Sequence, residues 1–231
     1  MSEDFAARRA AARARLDALD PHMKPGGTAA DPRRKDWFEA VYVLADGDFA
    51  AVPWAGLAPH PLLADWLAHN GRLDGLKAAD VGCGLGDNAA ALAEAGAGVV
   101  AFDLVSGAID WARRRFPGGD IDFRVADLFE LPADWRGAFD FVQETYTLQA
   151  LPAELLPSAG AALGGLLAPG GRLLVIARAR EEDQQLAGPP WPLTRAAIEG
   201  LAGAGLRMTT LEDIAAAENR PRHWRALLTR D

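Results

Sequence analysis

The chain has 231 residues, about one and a half times a typical domain, and half of them are hydrophobic. That favours one core with decoration and excludes a disordered chain. Its 24 Lys and Arg against 32 Asp and Glu give a net charge of −8, whose field repels phosphate and argues against a nucleic-acid or anionic-membrane binder.

The single cysteine, Cys83, excludes an intramolecular disulfide framework and any multi-cysteine metal site. The first twenty residues scatter arginines through alanines without an apolar stretch, so no secretory signal is expected. No run reaches the roughly 18 uninterrupted apolar residues of a membrane span. A cytoplasmic location is the simplest expectation, and the oligomeric state is left open.

In chain order, Ser2 to Leu19 predicts an Ala/Arg helix with a sparse apolar face, either a lid or a frayed terminus. Asp20 to Asp36 holds three prolines and two glycines and reads as a connector. Trp37, Phe38, Tyr42, Val43 and Leu44 return to helical spacing. A turn-rich stretch then leads to a short helix around Leu62–Ala68. These residues, 1–70, are read as a helical extension and lid, and 71–231 as the main domain.

After Gly71 short apolar runs appear at Ala78–Gly82, Val99–Asp103, Ile121–Val125, Phe139–Gln143 and Leu173–Ala177. Helical stretches lie between them near Asn88–Ala95, Ser106–Phe116 and Ala153–Leu167. This alternation predicts βαβ units and a parallel sheet covered on both faces. Ala168-Pro-Gly-Gly171 should stop the long helix and start the fifth strand. Thr194 is the expected N-cap of a helix over Arg195–Ala204. Strands at Leu206–Leu211 and His223–Thr229 end the chain, with a helical turn at Ile214–Glu218 between them.

The segment Asp80-Val-Gly82-Cys83-Gly84-Leu-Gly86-Asp87 runs from a strand through a glycine turn into a helix. Glycines there permit positive φ and let a ligand touch the backbone. Asp103 stands seventeen residues beyond Gly86, at a strand end, near where a ribose-binding acid follows such a loop. A nucleoside cofactor is the leading reading. A dinucleotide loop reads G-x-G-x-x-G; here the third glycine position holds Asp87. An aspartate at a helix entrance repels pyrophosphate, which favours S-adenosylmethionine (SAM) over NAD.

Asp80-Val-Gly-Cys-Gly-Leu-Gly86, Phe102-Asp-Leu104, Ala126-Asp-Leu128, Phe139-Asp-Phe-Val142 and Leu167-Ala-Pro-Gly-Gly-Arg-Leu173 fall in an order and spacing that resembles the class I SAM-dependent methyltransferases. The resemblance implies an α/β, Rossmann-like, seven-stranded, mostly parallel sheet of order 3-2-1-4-5-7-6, with the last strand antiparallel and helices on both faces. It implies that Gly82, Gly84 and Gly86 line the methionine end of SAM and that Asp80 supports the loop. Asp103 would hold the ribose hydroxyls, Leu104 would lie against the adenine, and Asp127 would accept from its amino group with the Leu128 backbone beside it. Glu144, just past strand four, would face the methionine ammonium or the acceptor as a candidate catalytic base.

Gly188-Pro-Pro-Trp191 followed by Leu193-Thr194 is similar to the stretch after strand five in thiopurine and tellurite-resistance methyltransferases. That likeness implies that Trp37 and Trp54 lie over the cofactor. Tyr146, just past strand four, and Arg178, after strand five, stand at the edge where open α/β sheets bind ligands, and with Trp37 and Trp191 are the candidate acceptor-binding residues. Arg178 would stabilise an anionic nucleophile or stand as a solvated charge. Arg113, Arg114 and Arg115 read as a solvated helix face, and Cys83 as a packing residue. No metal site is expected: His22, His60, His69 and His223 lack ligand spacing.

The implied function is methyl transfer from SAM to a small molecule, with a thiol or other soft nucleophile as the expected acceptor. O- or N-methylation of a small aromatic metabolite and non-catalytic SAM binding are the alternatives. A nucleic-acid base methyltransferase is disfavoured, because Gln143-Glu-Thr-Tyr146 stands where such enzymes carry a D/N-P-P-Y stretch.

Overall fold

A computed structural model describes residues 3–19, 31–184, 189–203, 205–218 and 220–231. The expected connector falls mostly outside these residues, as does Gly188. Seven strands form one sheet: β1 (Lys77–Val81), β2 (Gly98–Asp103), β3 (Ile121–Val125), β4 (Phe139–Thr145), β5 (Leu167–Arg178), β6 (Leu206–Ile214) and β7 (His223–Arg230). Their order is β3-β2-β1-β4-β5-β7-β6, with the first five parallel. β7 runs antiparallel to both β5 and β6. The sheet order and class match the expectation.

The helices are α1 (Glu3–Leu19), α2 (Lys35–Ala45), α3 (Pro61–Asn70), α4 (Asp87–Glu94), α5 (Ser106–Arg115), α6 (Leu156–Leu166) and α7 (Arg195–Glu199). Successive side chains of a strand point to opposite faces, and β5 shows what this does here. Leu173, Val175 and Ala177 join one buried layer with Leu163, Leu166 and Trp224. Leu174 and Ile176 join the opposite layer with Leu63, Trp66 and Phe141. Continuous apolar runs are therefore required, since neither face of the central strands meets water.

A third cluster ties the N-terminal segment to the sheet domain: Leu16, Val41, Tyr42 and Val52 pack on Leu85, Val105, Ala108 and Trp111. Among the described residues no helix is long and apolar enough to cross a membrane.

Three local expectations are corrected. β5 begins at Leu167, so the Pro-Gly-Gly run lies inside the strand, where Leu167 pairs with Phe139 before a register shift. α7 stops at Glu199: Thr194 Oγ1 accepts from Ala197 N at 3.1 Å as the cap, and the chain turns back through a Gly203–Leu206 bridge. No helical turn forms at 214–218. There Ile214 pairs with His223 and an Ala217–Arg220 bridge follows; the ladder outweighs local propensity over so few residues.

Candidate active site

The strand ends of β1, β2, β3, β4 and β5 open onto a cavity of about 710 Å³, on the carboxyl edge where open α/β sheets bind ligands. The glycine turn forms its floor. Gly82, Gly84 and Gly86 all have positive φ, but they do different work. A Cβ at Gly82 would sit 2.2 Å from Thr147 Oγ1, so Gly82 lets β1 and the loop after β4 close together. A Cβ at Gly86 would sit 2.9 Å from Phe123 and 3.2 Å from Phe116. Gly86 thus serves the packing of α4 on the sheet and does not line the cavity, contrary to expectation. Gly82, Cys83 and Gly84 do line it.

Asp103 ends β2 at the cavity wall. Its Oδ2 accepts from Gly84 N and its Oδ1 from Val105 N, each at 3.0 Å. Burial raises its carboxyl pKa, against the pull of those N–H groups. Leu104 and Leu128 lie beside it on the lining. Asp127 takes the Phe129 N–H at 2.9 Å and pairs with Arg33 from the N-terminal segment.

Asp80 is 1% exposed and lies outside the cavity lining. Its carboxyl accepts from the backbone N–H of Ala89 and faces Gln143, and burial pushes its pKa well up. It braces the start of α4 from beneath and adds nothing to the cavity wall.

Glu144 is the largest correction. It is fully buried and absent from the cavity lining. The side chain turns inward: Oε1 accepts from Leu148 N at 2.8 Å, and among the described residues Oε2 lacks a well-formed hydrogen bond. Burial raises its pKa to about 7. Alternation along β4 is the reason, since Glu144 and Tyr146 differ by two residues but the backbone turns at Tyr146, whose φ is +72°. That left-handed conformation is rare for an aromatic residue and costs on the order of 1 kcal/mol or more. It marks Tyr146 as the residue the strand end presents to the cavity.

Tyr146 stands between two histidines that spacing alone did not single out. His60 Nε2 lies 3.0 Å from Tyr146 Oη, and His223 Nε2 lies 2.6 Å from it on the other side. All three line the cavity, together with Arg178. Arg178 places its guanidinium 5.6 Å from the Tyr146 ring centre. The β5–β7 register pairs Arg178 with His223, which brings both to this edge. No local signal marks His60 or His223, because the contacts span 86 and 77 residues of chain.

The N-terminal segment forms the roof. Trp54 Nε1 donates to Tyr42 Oη at 3.3 Å, and Trp54 packs at 6.1 Å from Trp37 and 5.6 Å from Phe38. Trp37 and Trp54 both line the cavity. Trp191 does not; its backbone N–H donates to Gln149 O at 2.7 Å, and Pro189 and Pro190 reach the cavity in its place.

Asp87 and Arg115 revise two further readings. Arg115 grips Asp87 with two bonds of 2.8 and 2.6 Å, both side chains less than a fifth exposed. Arg115 is therefore no solvated face. The Asp87 charge is also compensated, which weakens the electrostatic case against a pyrophosphate. Cys83 is a buried free thiol whose pKa burial pushes well up, as a packing residue requires.

Comparison with known proteins places these observations. Residues 78–171 match the family model described as a methyltransferase domain. A ubiquinone biosynthesis O-methyltransferase of Aromatoleum aromaticum is 34% identical over 116 residues, 49% of either chain. The chain thus spans about half the length of the curated relatives it matches. Its fold is shared with Burkholderia thailandensis 1,6-didemethyltoxoflavin-N1-methyltransferase, solved with bound 1,6-didemethyltoxoflavin and S-adenosylhomocysteine. That likeness has TM-score 0.69 and 20% identity, over 88% of this chain and 92% of that one. A protein solved in work on conversion of a disulfide bond into a thioacetal group during echinomycin biosynthesis also shares the fold, with TM-score 0.71 and 21% identity over 86% and 92%. Residues 78–171 of this chain thus match a methyltransferase domain, and the chain shares its fold with solved methyltransferases.

Proposed function

We propose that the protein transfers a methyl group from SAM to a hydroxyl oxygen of a small molecule. The observation that carries this reading is one continuous cavity with two chemically distinct ends. The Gly82–Gly84 turn and Asp103 make a nucleoside and amino-acid end; Tyr146, His60, His223 and Arg178 make a polar acceptor end. Its volume, about 710 Å³, falls within the range of small-molecule sites.

The residues present fit SAM. Asp103 accepts from the backbone N–H groups of Gly84, Val105 and Leu104, and the remaining lone-pair capacity of this cavity-lining carboxylate can take a ribose hydroxyl. The Leu104 and Leu128 side chains offer apolar walls for an adenine, and Asp127 an acceptor for its amino group. The Gly82–Gly84 backbone would take the methionine end, and Trp54 stands over it to favour a sulfonium by cation–π attraction. When bound, SAM supplies a methyl carbon already carrying a good leaving group. The protein's task is then alignment, which can lower a barrier by about 7–11 kcal/mol.

Oxygen is preferred to sulfur on two grounds. Curated relatives from Aromatoleum aromaticum and Xylella fastidiosa are named ubiquinone biosynthesis O-methyltransferases, and the acceptor end is built from hydrogen-bonding groups. The thiol expectation leaned on the Gly188–Trp191 segment, and Trp191 lies away from the cavity. The proposed acceptor-binding residues are therefore Tyr146, Arg178 and Trp37.

The test has two stages. Calorimetric titration with SAM and NAD side by side should show SAM binding only. An assay of S-adenosylhomocysteine release over phenols, alcohols, thiols, amines and halide or chalcogen anions should then turn over hydroxyl acceptors. SAM binding with no turnover across the panel would leave a non-catalytic SAM-binding protein.

A further inference from the structure

Resting on that reading, we infer that Tyr146 is the general base of the site, taking the proton of a hydroxyl acceptor at Oη while handing its own proton to His223 Nε2. The direction of the relay follows from which atoms donate. His223 Nδ1 lies 2.6 Å from Pro221 O; a carbonyl only accepts, so Nδ1 carries the hydrogen and Nε2 of the neutral ring is a lone pair. Tyr146 Oη therefore donates to His223.

His60 is fixed the opposite way. Its Nδ1 accepts from Leu62 N at 3.3 Å, as the N-cap of α3, so its Nε2 carries the hydrogen and donates to Tyr146 Oη. The three side chains form one chain of hydrogen bonds running from His60 through Tyr146 to His223. His60 and Arg178 both approach Oη as donors, and an acceptor hydroxyl in the cavity takes the place of the Arg178 contact as it gives up its proton.

Proton and electron accounting closes on these residues. The acceptor O–H bond breaks, and its proton goes to Tyr146 Oη as the Tyr146 O–H proton goes to His223 Nε2. The electron pair left on the acceptor oxygen is the nucleophile. His223 becomes an imidazolium held by Pro221 O and afterwards releases its proton to solvent.

The surroundings keep the rings neutral at rest and make the His223 imidazolium a short-lived state that returns its proton readily. The charged groups facing the triad are Arg178 from β5 and Arg220 from the β6–β7 connection, both on the cavity lining. Burial lowers the proton affinity of His60, to a pKa of about 4, and of His223, and the two arginines add to it. Both rings are thereby kept neutral, the state the relay needs. Burial raises the Tyr146 phenol while Arg178 opposes that rise, and the same cation favours negative charge forming on an acceptor oxygen nearby. His60 touches no acceptor in this scheme and acts as a positioning residue.

The experiment uses the whole protein. Long-range proton–nitrogen NMR of its histidine rings near pH 7.5 should show His60 as the Nε2–H tautomer and His223 as the Nδ1–H tautomer, both neutral. Reversed tautomers or an imidazolium at either ring would overturn the relay. Kinetics should then compare Tyr146→Phe with the parent on substituted phenols of graded acidity. Loss of about 10²–10⁴-fold in kcat is expected for weakly acidic phenols, shrinking toward none for those already ionised at the assay pH. Equal loss across the series, or a parent that methylates no phenol, would overturn the proposal. His60→Gln, which can still donate to Oη, should keep most of the turnover that His60→Leu loses. S-adenosylhomocysteine affinity within about twofold of the parent in Tyr146→Phe isolates this result from the cofactor reading, whose own failure would appear as no SAM binding in the parent.

Discussion

Arg33, from the segment that precedes α2, is ion-paired with Asp127, 94 residues later at the end of β3. The N-terminal segment therefore reaches the carboxylate proposed to read the adenine. Arg33 is about a third exposed, so the pair is worth at most about 1 kcal/mol. Arg33→Ala should weaken S-adenosylhomocysteine binding by no more than about fivefold, whereas Asp127→Ala removes the acceptor itself and should cost about tenfold or more. Isothermal titration of both variants checks the order; equal effects would mean that the ion pair, not the carboxylate, holds the nucleotide.

Asp103 offers the sharper test of the nucleoside end. A hydrogen bond to a charged acceptor contributes about 1.5–3 kcal/mol. Asp103→Ala should therefore lower SAM affinity by roughly tenfold to a hundredfold, and Asp103→Asn should fall between. Unchanged affinity in the alanine variant would remove the ribose assignment.

Gly86 should report on stability more than on binding. A Cβ there meets Phe123 at 2.9 Å, and the backbone φ is +85°. Both terms oppose alanine, so Gly86→Ala should destabilise the fold by about 1–3 kcal/mol in urea unfolding. SAM affinity measured on the remaining folded protein should change little.

Glu144 gives a pH prediction with a definite sign. Its folded pKa is raised from 4.5 to about 7, so the folded state binds the extra proton between those values. Stability from this group is full below pH 4.5 and is lost as pH rises through about 7, up to about 3 kcal/mol. Glu144→Gln keeps an acceptor for Leu148 N and removes the buried charge. It should raise the melting temperature relative to the parent at pH 8.5 and lose that advantage near pH 5. Differential scanning calorimetry at the two pH values decides it, and a pH-independent difference would show that the carboxyl is not titrating in the core.

His60 contributes in the opposite sense. Its pKa is lowered from 6.5 to about 4, so the unfolded chain takes up the proton first. Stability should fall as pH drops from 6.5 toward 4, and His60→Gln should flatten that part of the pH–stability curve measured by urea titration.

Much of the architecture was legible in the chain. Short apolar runs alternating with helices, each bounded by Gly, Pro or Asp, fix a parallel sheet because its inner strands have no wet face. The glycine turn and Asp103 were legible for a similar reason: they lie within one βαβ unit, where spacing along the chain sets spacing in space. Thr194 as a cap was equally local, since its bond reaches only to Ala197.

What tertiary structure alone decided was which side of each element meets the cavity. Glu144 near the end of β4 and Tyr146 just past it sit two residues apart, yet one is sealed in the core and the other opens onto the site through a positive φ. Gly86 belongs to Phe123 and Phe116, and Arg115 to Asp87. His60, Tyr146 and His223 meet only because α3 and β7 begin where β4 ends, at one edge of the sheet. Periodicity and turn chemistry act over a few residues and so can be read from sequence, whereas contacts across dozens of residues depend on the packed sheet that brings its strand ends together.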